Sequence, residues 1–146
     1  MIFNYGIMQG RLSPIINNKI QAFPEKYWKL EFLKAKKLGL KSIEWTLDYN
    51  NLNKNPILSN RGQLTIKKLS KKFGIKVNSL TGDCFMQKPF WKSGDDEQSL
   101  LNKLFLDVVS ASFAIKIKYI VIPLVDNGRI ENKQQENYLI NFLINK

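Results

Sequence analysis

A chain of 146 residues with 44% hydrophobic side chains is long enough to enclose one core, and residues 1–146 read as a single domain. Its one cysteine, Cys84, excludes an internal disulfide, and no apolar run reaches the roughly 20 residues that a membrane-crossing helix needs. Residues 1–20 lack the basic start and unbroken apolar stretch of a secretory signal, so a reducing, cytoplasmic location is the expectation.

In chain order, residues 3–8 read as a short strand ending in a Gly10-Arg11 turn, and a loop with Pro14 and Asn17-Asn18 follows. Pro24 opens a helix over 24–38, where proline suits the first turn and Glu25 complements the helix dipole. Trp28, Phe32 and Ala35 mark its buried stripe, and Gly39 stops it. Residues 41–46 form the second strand, and the loop through Pro56 is rich in asparagine. A second helix over 61–73 puts Ile66, Leu69 and Phe73 on one face and Lys67, Lys68, Lys71 and Lys72 on the other.

Gly74 ends that helix, and 75–80 form a third strand. Residues 81–95, with Gly82, Pro89 and Gly94, read as a long loop, after which Asp95 or Asp96 caps a helix to about 114. Leu101, Leu104, Phe105, Val108 and Val109 give that helix the strongest 3.6-residue period in the chain. Residues 119–123 form a fourth strand with a loop through Asn127-Gly128, and a last helix from about 134 carries Tyr138, Leu139, Phe142 and Leu143. Strands alternating with helices of this length predict an α/β fold with a parallel sheet, roughly the first four units of a TIM (β/α)8 barrel. Eight such units take about 250 residues, so half of that scaffold is expected here.

The formal charge of +11 is concentrated in residues 1–82, where 15 Lys or Arg face 4 acids; residues 83–146 carry 8 of each. The excess reads either as lysine solubilising helix surfaces or as a field that attracts anionic substrates such as sugar phosphates. Non-specific nucleic-acid binding is the weaker reading, because only three arginines are present and no reading module is recognisable.

Barrel chemistry sits on the loops after each strand. Gln9 and Arg11 follow the first strand, Glu44 and Asp48 belong to the second, Asp83 and Cys84 follow the third, and Asp126, Asn127 and Arg129 the fourth. The substrate-side candidates are therefore Gln9, Arg11, Glu44, Asp83, Asp126 and Asn127. Arg11 offers a rigid donor fork for a phosphate or carboxylate, or a partner for Glu44 or Asp83. Glu44 can orient a hydroxyl, accept a proton or sit in a salt bridge. The Gly82-Asp83 step and Asp126-Asn127-Gly128 also suit ordinary turns. Trp45, Phe85, Phe90 and Trp91 can line a sugar-stacking wall or simply pack in the core.

The chain has no histidine, which removes the usual general base and commonest metal ligand and leaves Cys84 without a base to activate it. There is no Walker A sequence, no dinucleotide fingerprint and no cysteine-rich zinc motif.

Gly6-Ile7-Met8-Gln9-Gly10-Arg11-Leu12-Ser13-Pro14, Phe23-Pro24, Ile43-Glu44-Trp45 and Ile122-Pro123-Leu124-Val125-Asp126-Asn127-Gly128 together resemble the first half of the sugar phosphate isomerase/epimerase family, with its xylose isomerase-like TIM barrel. The resemblance implies a proton moved at a carbon next to a carbonyl, with a divalent metal (Mn, Mg or Zn) in a complete family member. It places the metal-bearing residues on later strands, so no metal ligand is carried over and no cofactor is expected in this chain. Gln9-Gly10-Arg11, Glu44 and Asp126-Asn127 are implied as lining of the substrate side. Relatives that cleave DNA at abasic sites are a poor match, because histidines are missing after the third and fourth strands.

The expected function is thus the N-terminal half of a sugar phosphate isomerase/epimerase-like protein, without catalytic activity alone. The alternatives are a stand-alone anion- or sugar-phosphate-binding or structural domain, and a non-specific nucleic-acid binder. Open sheet edges make self-association, or pairing with a C-terminal half, the expected partnership, with a sugar phosphate as ligand and no membrane.

Overall fold

The computed structural model describes residues 4–15 and 22–145. The predicted start of the first strand at residue 3 and the Asn17-Asn18 loop lie outside the described residues. Strands β1 (Gly6–Met8), β2 (Ser42–Thr46), β3 (Ser79–Thr81) and β4 (Tyr119–Val121) form one parallel sheet in the order β1-β2-β3-β4. Helix α1 (Trp28–Lys37) joins β1 to β2, and α2 (Asn60–Phe73) joins β2 to β3. Helices α3 (Asp83–Gln87) and α4 (Asp95–Ala114) lie between β3 and β4, and α5 (Lys133–Ile144) follows β4. Parallel neighbours need a long crossover, and here every crossover carries a helix. The order never reverses, unlike that of a doubly wound sheet.

Alternation along the strands sorts their side chains onto two faces. Ile43, Trp45 and Leu80 are fully buried on one face, with Ile7 and Ile120 packed against the same core. The helices supply Trp28, Phe32 and Ala35 from α1, Ile66 from α2, and Leu101, Phe105 and Val108 from α4. Phe90 packs its ring against Phe85, Trp91, Phe105, Tyr138 and Phe142, which ties the segment after α3 to α4 and α5. On the opposite face Tyr119 is 66% and Val121 44% exposed, and Glu44 and Ser79 are half-buried.

Helix ends follow local chemistry. The Ser59 hydroxyl accepts from Gly62 N at 3.1 Å to start α2, and Asn132 Oδ1 accepts from Gln135 N at 3.0 Å to start α5. Helix α1 closes on Gly39 at φ 74°, with Gly39 N donating to Lys36 O and Leu40 N to Ala35 O. The same paired closure ends α4, where Lys116 N donates to Phe113 O and Ile117 N to Ser112 O. There the left-handed position is held by Lys116 at φ 66°, a conformation disfavoured for a residue with a Cβ.

Several boundaries differ from the sequence reading. Residues 81–95 are not all loop: Asp83–Gln87 is a helix whose Asp83, Cys84, Phe85 and Met86 are all buried. A helix of five residues, under two turns long, is too short for a 3.6-residue alternation to show. The third strand pairs as a strand only over Ser79–Thr81, after an isolated Ser42–Lys76 bridge. Ser42 opposes Lys76 but Trp45 opposes Leu80, so one extra residue on this strand interrupts the ladder in the manner of a bulge. Residues 24–27 form a turn that precedes α1, and β4 ends at Val121, before Pro123. Val109 and Leu143, predicted on apolar faces, are 38% and 41% exposed.

Candidate functional site

The C-terminal end of the sheet gathers polar side chains from three successive strand–helix turns. After β1, the chain turns through Gly10 at φ 91°, and the turn is organised around a carboxylate from α1. Gly10 N donates to both oxygens of Glu31 at 2.9 and 3.1 Å, Leu12 N donates at 3.2 Å and Ser13 Oγ at 2.8 Å. Lys34 Nζ completes the lock by donating to Leu12 O. Burial pushes the Glu31 carboxyl up, against the pull of these hydrogen bonds and of Lys34. Glu31 was not among the sequence candidates, although it lies three residues after Trp28 on the buried stripe.

This anchoring aims Gln9 inward, where its side chain is 1% exposed. Gln9 Oε1 accepts from Thr46 N at 3.3 Å, while Gln9 Nε2 is buried with no partner. Arg11 stands exposed at the same turn, its Nη2 lying 3.7 Å from Met8 Sδ. On β2, Glu44 accepts a short hydrogen bond from Thr81 Oγ1 across the sheet. Thr46 is fully buried and opposes Thr81, and its Oγ1 has no partner. Asp48 is buried just beyond the strand, with Oδ1 accepting from Asn50 N at 3.1 Å.

Asp83 opens α3, is 2% exposed, and leaves Oδ2 without a partner. Its pKa is pushed up to about 6 by burial first, then by the Asp48 and Glu44 charges, with Arg11 opposing. The structure therefore brings Gln9, Arg11, Glu44 and Asp83 together, and adds Thr46, Asp48 and Thr81. Cys84, in contact with the core, is pushed up to about 12 mainly by burial and is a thiol at neutral pH.

The other two sequence candidates are placed elsewhere. Asp126, at φ 49°, and Asn127 sit exposed on a 3-10 turn, Asp126–Gly128, and the Asp126 charge is not among those acting on Asp83. Asn127 Nδ2 donates to Gln87 O at 3.0 Å and pins this turn to the end of α3. Trp45, Phe85, Phe90 and Trp91 do not form an open stacking wall, since none is more than 3% exposed.

Beside the mouth, a cavity of about 300 Å³ lies between the start of α1 and the β2–α2 loop. Phe23 and Tyr27 form part of its wall, and its charged groups are Lys26 and Lys54 alongside the carboxylates Glu25 and Asp48. The floor is held by Asn55, whose Oδ1 accepts from Trp45 Nε1 at 3.0 Å and Ile57 N at 3.2 Å, and whose Nδ2 donates to Thr46 O at 3.3 Å.

The raised Asp83 pKa has a definite consequence for stability. The native state holds this proton more tightly than the unfolded chain, so stability falls as pH rises from 3.8 to about 6. Asp83→Asn removes the titration. It is expected to leave stability unchanged below that window and to raise it by about 1 to 2 kcal/mol above it, discounted for water screening at the mouth. Urea unfolding at about pH 3 and about pH 7 checks this; an equal effect at both values contradicts it.

No helix among the described residues is long and apolar enough to cross a membrane. No family model matches the chain, and no curated protein matches its sequence.

Proposed function

We propose that this chain supplies the first four strand–helix units of a sugar phosphate isomerase/epimerase-like barrel, and that its contribution is a substrate-binding wall. The observation that carries this reading is the buried, unpartnered set of Gln9 Nε2, Thr46 Oγ1 and Asp83 Oδ2 at one end of the sheet, beside Glu44 and Asp48. Buried polar groups are normally hydrogen-bonded, so an orphaned set of this kind suits a ligand rich in hydroxyls, which donate and accept together. The adjoining cavity, which shares Asp48, offers Lys26 and Lys54 to a phosphate. Asp83, with its pKa near 6, is suited to take up and return a proton near neutral pH.

The sheet supports the same reading. Parallel sheets are ordinarily covered on both faces, and further strand–helix units would cover the Glu44–Tyr119 face and pair the β1 and β4 edges. Among the described residues, no three or more His, Cys, Asp or Glu side chains are gathered as metal ligands. The resemblance places the metal-bearing residues on later strands, so no step is assigned to a metal in this chain. Turnover then depends on the remaining units, and the chain alone is expected to bind without catalysis.

Light scattering and calorimetry with fructose 6-phosphate test the proposal. The expected results are a mass above the 17.0 kDa of one chain and saturable binding that Thr46→Val weakens by about tenfold without loss of stability. A cooperative 17.0 kDa monomer that binds the sugar phosphate without metal would replace this reading with a stand-alone binding domain. A chain with no affinity for the sugar phosphate would remove the binding wall altogether.

A further inference from the structure

A second cavity, of about 480 Å³, opens at the opposite end of the sheet, between α2, the lead into β3 and the turn from α4 to β4. Four lysines line it: Lys67 from α2, Lys76 from the bridge before β3, and Lys116 and Lys118 from the turn before β4. No carboxylate lines the cavity, and among the described residues no ion pair involves any of the four. Backbone pairing fixes the arrangement. Lys118 N donates to Asn78 O at 2.8 Å and Lys76 N to Lys41 O at 2.9 Å, so the strands deliver these residues to one end of the sheet.

Like charges gathered around a cavity without counter-charges repel one another, and a bound anion relieves that repulsion. Lys116 adds a second, independent sign. It occupies the left-handed position that closes α4, where glycine serves at the equivalent ends of α1 and α2. A charged side chain thus stands where the backbone conformation favours glycine. The four lysines are exposed, and the rest of the lining is Ile66, Val77 and Ile115 with Ser70 and Asn78.

We propose that this cavity is an anion site for an organic phosphate with two or more negative charges, its phosphates between the four lysines and its body against Ile66, Val77 and Ile115. The site is separate from the polar mouth and does not depend on the proposed isomerase relationship.

Calorimetry with adenosine diphosphate and with inorganic pyrophosphate, in about 50 mM salt without metal, tests the assignment. The expected result is one adenosine diphosphate per chain, bound more tightly than pyrophosphate. Lys76→Ala/Lys118→Ala should weaken it by about tenfold or more, whereas Lys36→Ala/Lys37→Ala, which removes the same charge from exposed positions on α1, should change it by less than about twofold. Lys116→Gly should raise the unfolding midpoint while weakening binding, an outcome that damage to the fold cannot produce. Equal losses in the two double variants, or binding without a defined stoichiometry, would reduce the site to diffuse charge attraction and overturn it. Pyrophosphate binding as tightly as adenosine diphosphate would overturn the organic body.

Discussion

Asn55→Ala is expected to destabilise the chain by about 3 to 5 kcal/mol, because one side-chain amide serves three buried backbone and side-chain groups. Its removal leaves Trp45 Nε1, Ile57 N and Thr46 O without their bonds at a residue that is 3% exposed. Each buried donor left unpaired costs about 1 to 3 kcal/mol, more than the net value of the bond itself. Trp45→Phe deletes one of those donors at the source, so its effect should shrink in the Asn55→Ala background. A double-mutant cycle in urea measures that coupling. Additive effects would show that the indole and the amide do not depend on each other. Because Asn55 also holds the β2–α2 loop that carries Asp48, the variant should weaken the proposed sugar phosphate binding as well as stability.

Gly62→Ala is expected to cost about 2 to 3 kcal/mol, although the same exchange on an open helix surface gains about 1 kcal/mol in propensity. A Cβ at position 62 would stand 1.9 Å from Pro56 O and within 2.6 Å of the Pro56 backbone. Those atoms belong to the 3-10 turn Pro56–Leu58, on which the first turn of α2 rests, so relief requires the helix to move off its support. The Ser59 cap to Gly62 N would be displaced in the same movement. Denaturant midpoints for Gly62→Ala and Gly62→Ser decide the matter: both should fall, the serine variant at least as far. A rise for the alanine variant would mean that propensity outweighs the contact.

The placement of candidate side chains was legible in the sequence where strand position alone determines direction. Glu44 lies between Ile43 and Trp45, both fully buried, and the two-residue period of a strand puts it on the other face. Gln9 and Asp83 follow directly from strand ends, and both reach the mouth. Asp126 and Asn127 follow a strand too, yet they serve a turn pinned to α3. That helix was itself hidden, since its five residues are too few to show a 3.6-residue period. Glu31 and Asn55 escaped for a different reason. Their partners lie 18 to 21 and 2 to 10 residues away, and nothing in local composition marks which polar residue will be buried.

By itself the sequence determined the alternation of strands and helices, the buried stripes of α1 and α4, and the helix stops at Gly39 and Gly74. These depend on neighbours within a turn or two, where steric and solvation preferences act directly. Charge shows the limit of that reach. Counting along the chain puts the whole basic excess in residues 1–82, yet the lysine-lined cavity joins Lys67 and Lys76 to Lys116 and Lys118 from the balanced half. Likewise Gln9, Thr46 and Asp83 become one polar set only when parallel pairing brings three strand ends side by side. Tertiary structure decided both groupings, because electrostatic and hydrogen-bonding partners are selected by distance in space, and the sheet register sets that distance.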